Sequence, residues 1–286
     1  MKQPAGQRGV ALLLVLWACT LLAILLGGYA VLAHTEALQT RYQFAEARAH
    51  YAAEAGVMRA LVALQDPDLK RRWVADGRAY PFPFDDATVQ VSMIDEGGKV
   101  DLNAASPEVL QGLFRAAGLD AAAAGKLAAN VVDWRSFVAE AGQADSARAA
   151  YAAAGRDYGP RHGPFATLQE LQLVLGMTPE LYQHLEPAIT IWSGRAIPDP
   201  TTAPPLVLAA IPGVDPQQVQ ALLAARQQNG GSGTSPIGGG ITHSIRSQAE
   251  LADGTRAVIR ATIRLQQSRM GSQPYTVLRW QEGDGE

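Results

Sequence analysis

From Val10 to Ala33 the chain runs VALLLVLWACTLLAILLGGYAVLA, 24 residues without a charge. As a helix this stretch rises about 36 Å against a hydrocarbon core of about 30 Å, and it predicts a transmembrane helix. The apolar pattern then changes rather than ends. Residues 34–65 contain no Pro and only Gly56, and Leu38, Tyr42, Ala45, Ala49 and Ala52 recur at alternating steps of four and three. The spacing predicts one helix from Val10 to Leu64, about 80 Å long, whose outer half is amphipathic with a stripe built mostly from Ala. A stripe that thin packs closely on a sheet or another helix. Asp66-Pro67 stops it, because Pro disfavours helical backbone in the residue before it.

Period-two segments flank a helical middle. Thr88 to Ile94 alternates with Val89, Val91 and Met93 on one face, and Asp95-Glu96-Gly97-Gly98 reads as a turn into a second short strand, Lys99 to Leu102. Ile241–Arg246, Ala257–Leu265 and Tyr275–Trp280 are again alternating, with 266–274 connecting the last two. Between the two groups, residues 103–228 are rich in Ala and Leu, with helix starts at Ser106-Pro107, Thr167 with Glu170, Thr178-Pro179 and Asp215-Pro216. Within this middle, Gly118-Leu119-Asp120, Gly176-Met177-Thr178 and Gly213-Val214-Asp215 each separate two apolar helical stretches. Gly takes the left-handed cap and Asp or Thr opens the next helix, which implies three helical hairpins. The pattern amounts to an α+β fold: a long N-terminal transmembrane and amphipathic helix packed on a small antiparallel sheet, with a large all-α domain of helix-hairpin-helix-like units inserted between strands.

Charge limits the partners. The chain carries 24 Lys+Arg against 27 Asp+Glu, and residues 103–228 carry eight basic side chains against eleven acidic ones. A phosphate backbone is repelled by that balance, and the position where a DNA-binding hairpin needs a second Gly holds Asp120, Thr178 or Asp215. A helix-hairpin-helix DNA receptor is therefore the minor alternative. The single Cys, Cys19, excludes an intrachain disulfide framework and a cysteine-built zinc site. The five His, at 34, 50, 162, 184 and 243, are scattered and form no HExxH motif, and there is no Gly-x-Ser-x-Gly elbow or P-loop. Asp95, Glu96 and Asp101 are close in sequence, but a turn rich in Gly and acids explains them without chemistry. The expectation is a structural subunit with no catalytic residues, not an enzyme.

Lys2 and Arg8 precede the apolar run and the first acid, Glu36, follows it, so the N-terminus is expected in the cytoplasm and everything from His34 outside it. Three other readings of this start compete. A secretory signal cut after Ala33 has too long an apolar region, and a lipoprotein signal at Leu16-Trp17-Ala18-Cys19 has Trp where a small residue is needed. A plain single-pass anchor shares the hydropathy. The basic leader ending in Arg8-Gly9, the immediate switch to VALLLVLW, the long helix and the segment Tyr51–Ala60 together resemble a type IV prepilin-like protein. That resemblance implies cleavage between Gly9 and Val10 by a prepilin peptidase. Most such subunits carry Glu five residues into the mature chain, where this one has Leu14. A carboxylate in the membrane persists only when paired, as with a neighbour's N-terminal ammonium, and Leu14 cannot form that pair.

The subunit that lacks this Glu in the superfamily is minor pseudopilin K of the type II secretion system, and the rest of the chain resembles it. The matching stretches are Asp95–Asn103, Val131–Trp134, Leu168–Leu171 with Gly176, Leu185–Thr190 and Tyr275–Trp280, in order and spacing. The resemblance implies a pilin-like fold divided as leader 1–9, transmembrane helix 10–33, periplasmic helix 34–65, first part of the pilin-like domain 66–102, helical insert 103–228, Gly-rich linker 229–240 and returning strands 241–286. It implies a minor pseudopilin at the tip of the pseudopilus of a Gram-negative inner membrane, initiating assembly for export of folded periplasmic proteins across the outer membrane. The implied partners are minor pseudopilins I and J, then H and the major pseudopilin G, with the prepilin peptidase and the inner-membrane assembly platform, and no nucleic acid. A minor pilin of a type IV pilus is the alternative sharing the leader and helix. No cofactor is expected. Relatives bind calcium through acidic loops of the insert, but the acids here, Asp133, Glu140, Asp145 and Asp157, are few for a cation that takes six or more oxygens, and no calcium site is assigned.

Overall fold

The computed structural model describes residues 8–68, 70–137, 141–228, 241–266 and 273–283. The first seven leader residues, Glu140 and the Gly-rich linker 229–240 lie outside the described residues. Helix α1 runs unbroken over Arg8–Leu64, 57 residues. Its apolar half has side chains free of protein contacts and is long enough to cross a membrane. Thr20 and Thr35 return their hydroxyls to the carbonyls of Trp17 and Val31 at 2.8 and 2.9 Å, so neither leaves a polar hydrogen exposed to an apolar surrounding.

After α1 come β1 (Asp76–Phe84), β2 (Ala87–Asp95), a 3-10 turn (Glu96–Gly98) and β3 (Val100–Asp101), and after the insert β5 (Thr242–Leu251), β6 (Arg256–Leu265) and β7 (Tyr275–Glu282). The sheet has the order β1-β2-β5-β6-β7 with every pairing antiparallel. β2 and β5 pair from Ala87 with Leu251 to Asp95 with His243. The chain therefore leaves the sheet and re-enters it at neighbouring positions. The outer half of α1 lies across one face. Ala49, Ala52, Ala53, Val57, Ala60 and Leu61 are buried on Val89, Val91, Met93, Ile245, Ile259 and Ile263. The Ala stripe is thus a packing surface from Ala45 onward, while Leu38 and Tyr42, read from the sequence as part of it, stand 52% and 65% exposed because the sheet ends before them.

The insert contributes α2 (Pro107–Ala116), α3 (Ala121–Arg135), α4 (Ala141–Ala153), a 3-10 helix (Leu168–Leu173), α5 (Pro179–Leu185), β4 (Ile189–Thr190), α6 (Pro205–Leu208) and α7 (Pro216–Gln228). They enclose a second core of Leu110, Leu113, Phe114, Leu127, Leu171 and Leu208. α2 crosses the end of α6 at Gly112, where any Cβ would strike the carbonyl of Ala210, so only glycine allows that approach.

Two expectations need correction. The insert is not all-α, since it contains β4, which pairs in parallel with β3, Ile189 with Val100 and Thr190 with Asp101. The short strand expected at Lys99 to Leu102 is present as β3, and the 3-10 turn carries it out of the main sheet to meet β4. The stretch opened by Thr167 is a 3-10 helix without a side-chain cap. Glu170 instead bonds back to the amide of Ala166 at 3.2 Å, which draws the turn tight.

Candidate functional site

The chemistry-bearing positions gather at three places: the exposed faces of α1, the junction of sheet and insert, and the glycine hairpins. On α1 the Gly9–Val10 bond lies in the first helical turn, and Leu14 is 66% exposed on an apolar surface with no carboxylate between Val10 and His34. On the outer half, opposite the buried Ala stripe, Phe44, Tyr51, Met58 and Val62 stand exposed at steps of seven, seven and four. At that spacing the four side chains line one face of α1, a geometry on which a second helix can pack. That face ends in an apolar recess lined by Met58, Leu61, Val62, Pro67, Pro274 and Tyr275. The sequence reading followed the Ala stripe and missed this second one, although the large side chains at heptad spacing were visible.

At the junction the acidic turn is a fastening. Asp95 accepts from the amide of Gly97 at 2.8 Å, and the carbonyl of Gly97 accepts from the amide of Asp199 at 2.8 Å. Gly98 abuts the backbone of Thr202 and Ala203 so closely that a Cβ has no room. Glu96 is fully buried and pairs with Lys99 through Oε1 at 2.8 Å, while its Oε2 has no partner among the described residues. Asp101, 1% exposed, accepts from the amides of Asn103 (2.8 Å) and Gly194 (2.7 Å) and from the Ser193 hydroxyl (3.2 Å). Arg135 of α3 donates to the carbonyls of Leu102 and Ala105 at 2.7 and 2.6 Å. Burial pulls its pKa down and Asp101 opposes the shift, and the guanidinium stays charged. Carboxylates this occupied orient backbone, so the acids that suggested a catalytic pair hold the strand that leads into the insert.

The three hairpin glycines all adopt left-handed backbone, with φ of 103° at Gly118, 95° at Gly176 and 84° at Gly213. The next helix is capped each time. Asp120 accepts from Ala123 at 2.8 Å and Thr178 from Leu181 at 3.2 Å. Asp215 accepts from Gln218 at 2.8 Å, while the Gln218 carbonyl oxygen takes the amide of Asp215 at 3.1 Å. These side chains occupy the amides that a phosphate would need, and two of them bring negative charge. Within α5, burial and then the Glu186 carboxylate push the Tyr182 phenol up to about 12. Asp133, Asp145 and Asp157 are not brought together, Asp133 lying beside His162 at 4.0 Å and the other two exposed on and after α4. Among the described residues no three His, Cys, Asp or Glu converge as a metal site.

Residues 90–194 match a family model described as type II secretion system (T2SS), protein K. That stretch spans the junction and the first part of the insert. The chain also matches a solved chain of the GspK-GspI-GspJ complex from the enterotoxigenic Escherichia coli type 2 secretion system, with a TM-score of 0.56, 19% identity, 88% of this chain and 100% of that chain covered. No curated protein matches significantly. The resemblance to pseudopilin K read from the sequence is the one that the family model returns over 90–194, and the likeness to the solved chain is one of fold, the pilin-like α+β arrangement with an insert.

Proposed function

We propose that this chain is the minor pseudopilin that sits at the tip of a type II secretion pseudopilus and starts its assembly. The observation that carries the reading is the combination in one chain of the protein K match over 90–194 with a helix that presents Leu14 where a paired carboxylate is usual. A subunit below others offers its carboxylate to the ammonium of the subunit above. One without it suits the place with nothing above. The insert adds bulk above the sheet that repeated helical stacking has no room for. By analogy with the solved complex, siblings of the GspI and GspJ type meet the seam Phe44, Tyr51, Met58 and Val62. The anchor crosses the inner membrane with its N-terminus in the cytoplasm and the sheet and insert in the periplasm. The role is structural, without cofactor or nucleic acid.

Two measurements test it. The mature protein from native membranes is expected to begin at Val10, and an N-terminus at Met1 or His34 would overturn prepilin processing. Leu14→Glu is expected to lower filament initiation, as is Met58→Asp, which puts a charge in the seam. Unchanged secretion by both variants would remove the tip assignment.

A further inference from the structure

The two edges of the main sheet are built differently. On β1, Pro81 pairs with Gln90 and Pro83 with Thr88. A proline has no N–H to give the ladder, so both nitrogens stand on the outer edge, which is left without two of its donors. β7 at the opposite edge contains no proline. Its hydrogen-bond phase is set by the amide of Gly283 donating to Val258 and that of Gln266 to Pro274, both at 2.8 Å. Counting inward along the register, the backbone groups of Trp280 and Glu282, and beyond a bulge those of Val277 and Tyr275, point away from β6. Among the described residues no strand pairs with these groups, so β7 offers an open ladder interrupted by one bulge.

What flanks that ladder has a definite charge. Arg246, Arg256, Arg260, Arg264 and Arg279 share one face of β5, β6 and β7, against a single acid, Glu250, which is ion-paired to Arg256 at 2.9 Å. Beside β7 the insert closes a cleft in which Thr167, Leu168 and Gln169 face Leu278, Arg279 and Gln281. Trp192 lines it, with the Arg279 guanidinium 5.8 Å from its ring centre and its carbonyl taking Arg264 at 3.0 Å.

We infer that β7 receives an extended acidic segment of another protein as an added strand, its alternate carboxylates turned to Arg279 and the neighbouring arginines. Strand addition takes its affinity from main-chain bonds and its selectivity from alternate side chains, and both are available here. A second copy of this chain does not fit. Two β7 edges would bring their arginine faces together, and β7 on β1 would meet Pro81 and Pro83. The inference stands apart from the assembly reading, since it uses neither α1 nor the hairpins.

Residue-resolved amide exchange on the full chain in detergent micelles tests it, with a peptide of alternating threonine and glutamate as the probe at about millimolar concentration. The amides of Trp280 and Glu282 are expected to slow about fivefold or more, with none of the β1 edge amides changing. Arg279→Glu, with unchanged melting, is expected to abolish the effect. The inference is overturned by no slowing, by equal slowing with a threonine and lysine peptide, or by amides already protected in the free chain, which would mean that its own residues cover the edge.

Discussion

Gly56 of α1 lies directly on Ser247 of β5, with the Val89 side chain 2.9 Å from where a Cβ would project. It is the one glycine in the outer half of α1, and its missing side chain sets how near the helix comes to the sheet. The Ser247 hydroxyl beneath it is fully buried and has no hydrogen-bond partner among the described residues. The core accepts that cost for close packing of helix on sheet.

Gly56→Ala should therefore destabilise by about 1–3 kcal/mol through overpacking, outweighing the gain in helix propensity. Ser247→Ala in the same chain should restore part of it, because it removes the nearest clashing atom and the unpartnered hydroxyl while the Val89 side chain still crowds the new Cβ. Thermal melts of the two single variants and the double variant measure the coupling.

Asp101→Ala should cost about 2–4 kcal/mol, since it strips acceptors from the amides of Asn103 and Gly194 and leaves Arg135 without its nearest counter-charge. The loss should appear first in the insert. Limited proteolysis is expected to cut between 190 and 205 while the main sheet remains protected.

Much of this architecture was legible in the residues, and the misses share physical causes. α1 showed through its unbroken apolar run, and Ser106, Asp120, Thr178 and Asp215 cap helices where their spacing placed them. β1 was not read, because Pro81 and Pro83 argue against a strand unless their nitrogens face an open edge. β3 was read, as the short strand at Lys99 to Leu102, but its partner β4 was not, because two residues are too short to carry a period and that strand exists only through tertiary contact. Gly98 and Gly112 look like any other glycines in sequence, and a close backbone approach has no local signature.

Asp215→Ala removes a cap that works in both directions with Gln218, and is expected to lower stability by about 1 kcal/mol. Exchange at the start of α7 should quicken while α2 and α3 remain unchanged. A uniform effect across the insert would show that the hairpins do not respond independently.

Tyr182 gives a pH signature. Its folded pKa is raised to about 12 by burial and by Glu186, against about 10 unfolded, so the stability linked to the neutral phenol is whole below pH 10 and is lost as pH rises through 12. Tyr182→Phe should flatten the fall in melting temperature across that window. Parallel curves for the two proteins would show that the phenol ionises as easily folded as unfolded.

The pairing of Asp95 with His243 has a consequence for how the molecule is made. β2 emerges from the ribosome about 150 residues before the strand that covers its second edge, and at roughly 5–20 residues per second that is a wait of order ten seconds or more. Until then the β1–β2 ribbon has half its ladder bare and nothing but α1 to lie on. The insert is synthesised during the wait and has its own core, so it folds while the sheet is still open and brings the two distant chain ends together, turning a slow, long-range closure into a short one. Sheet completion is thereby scheduled after insert folding, and a defect in the insert core would be felt as a nascent chain with an unguarded strand.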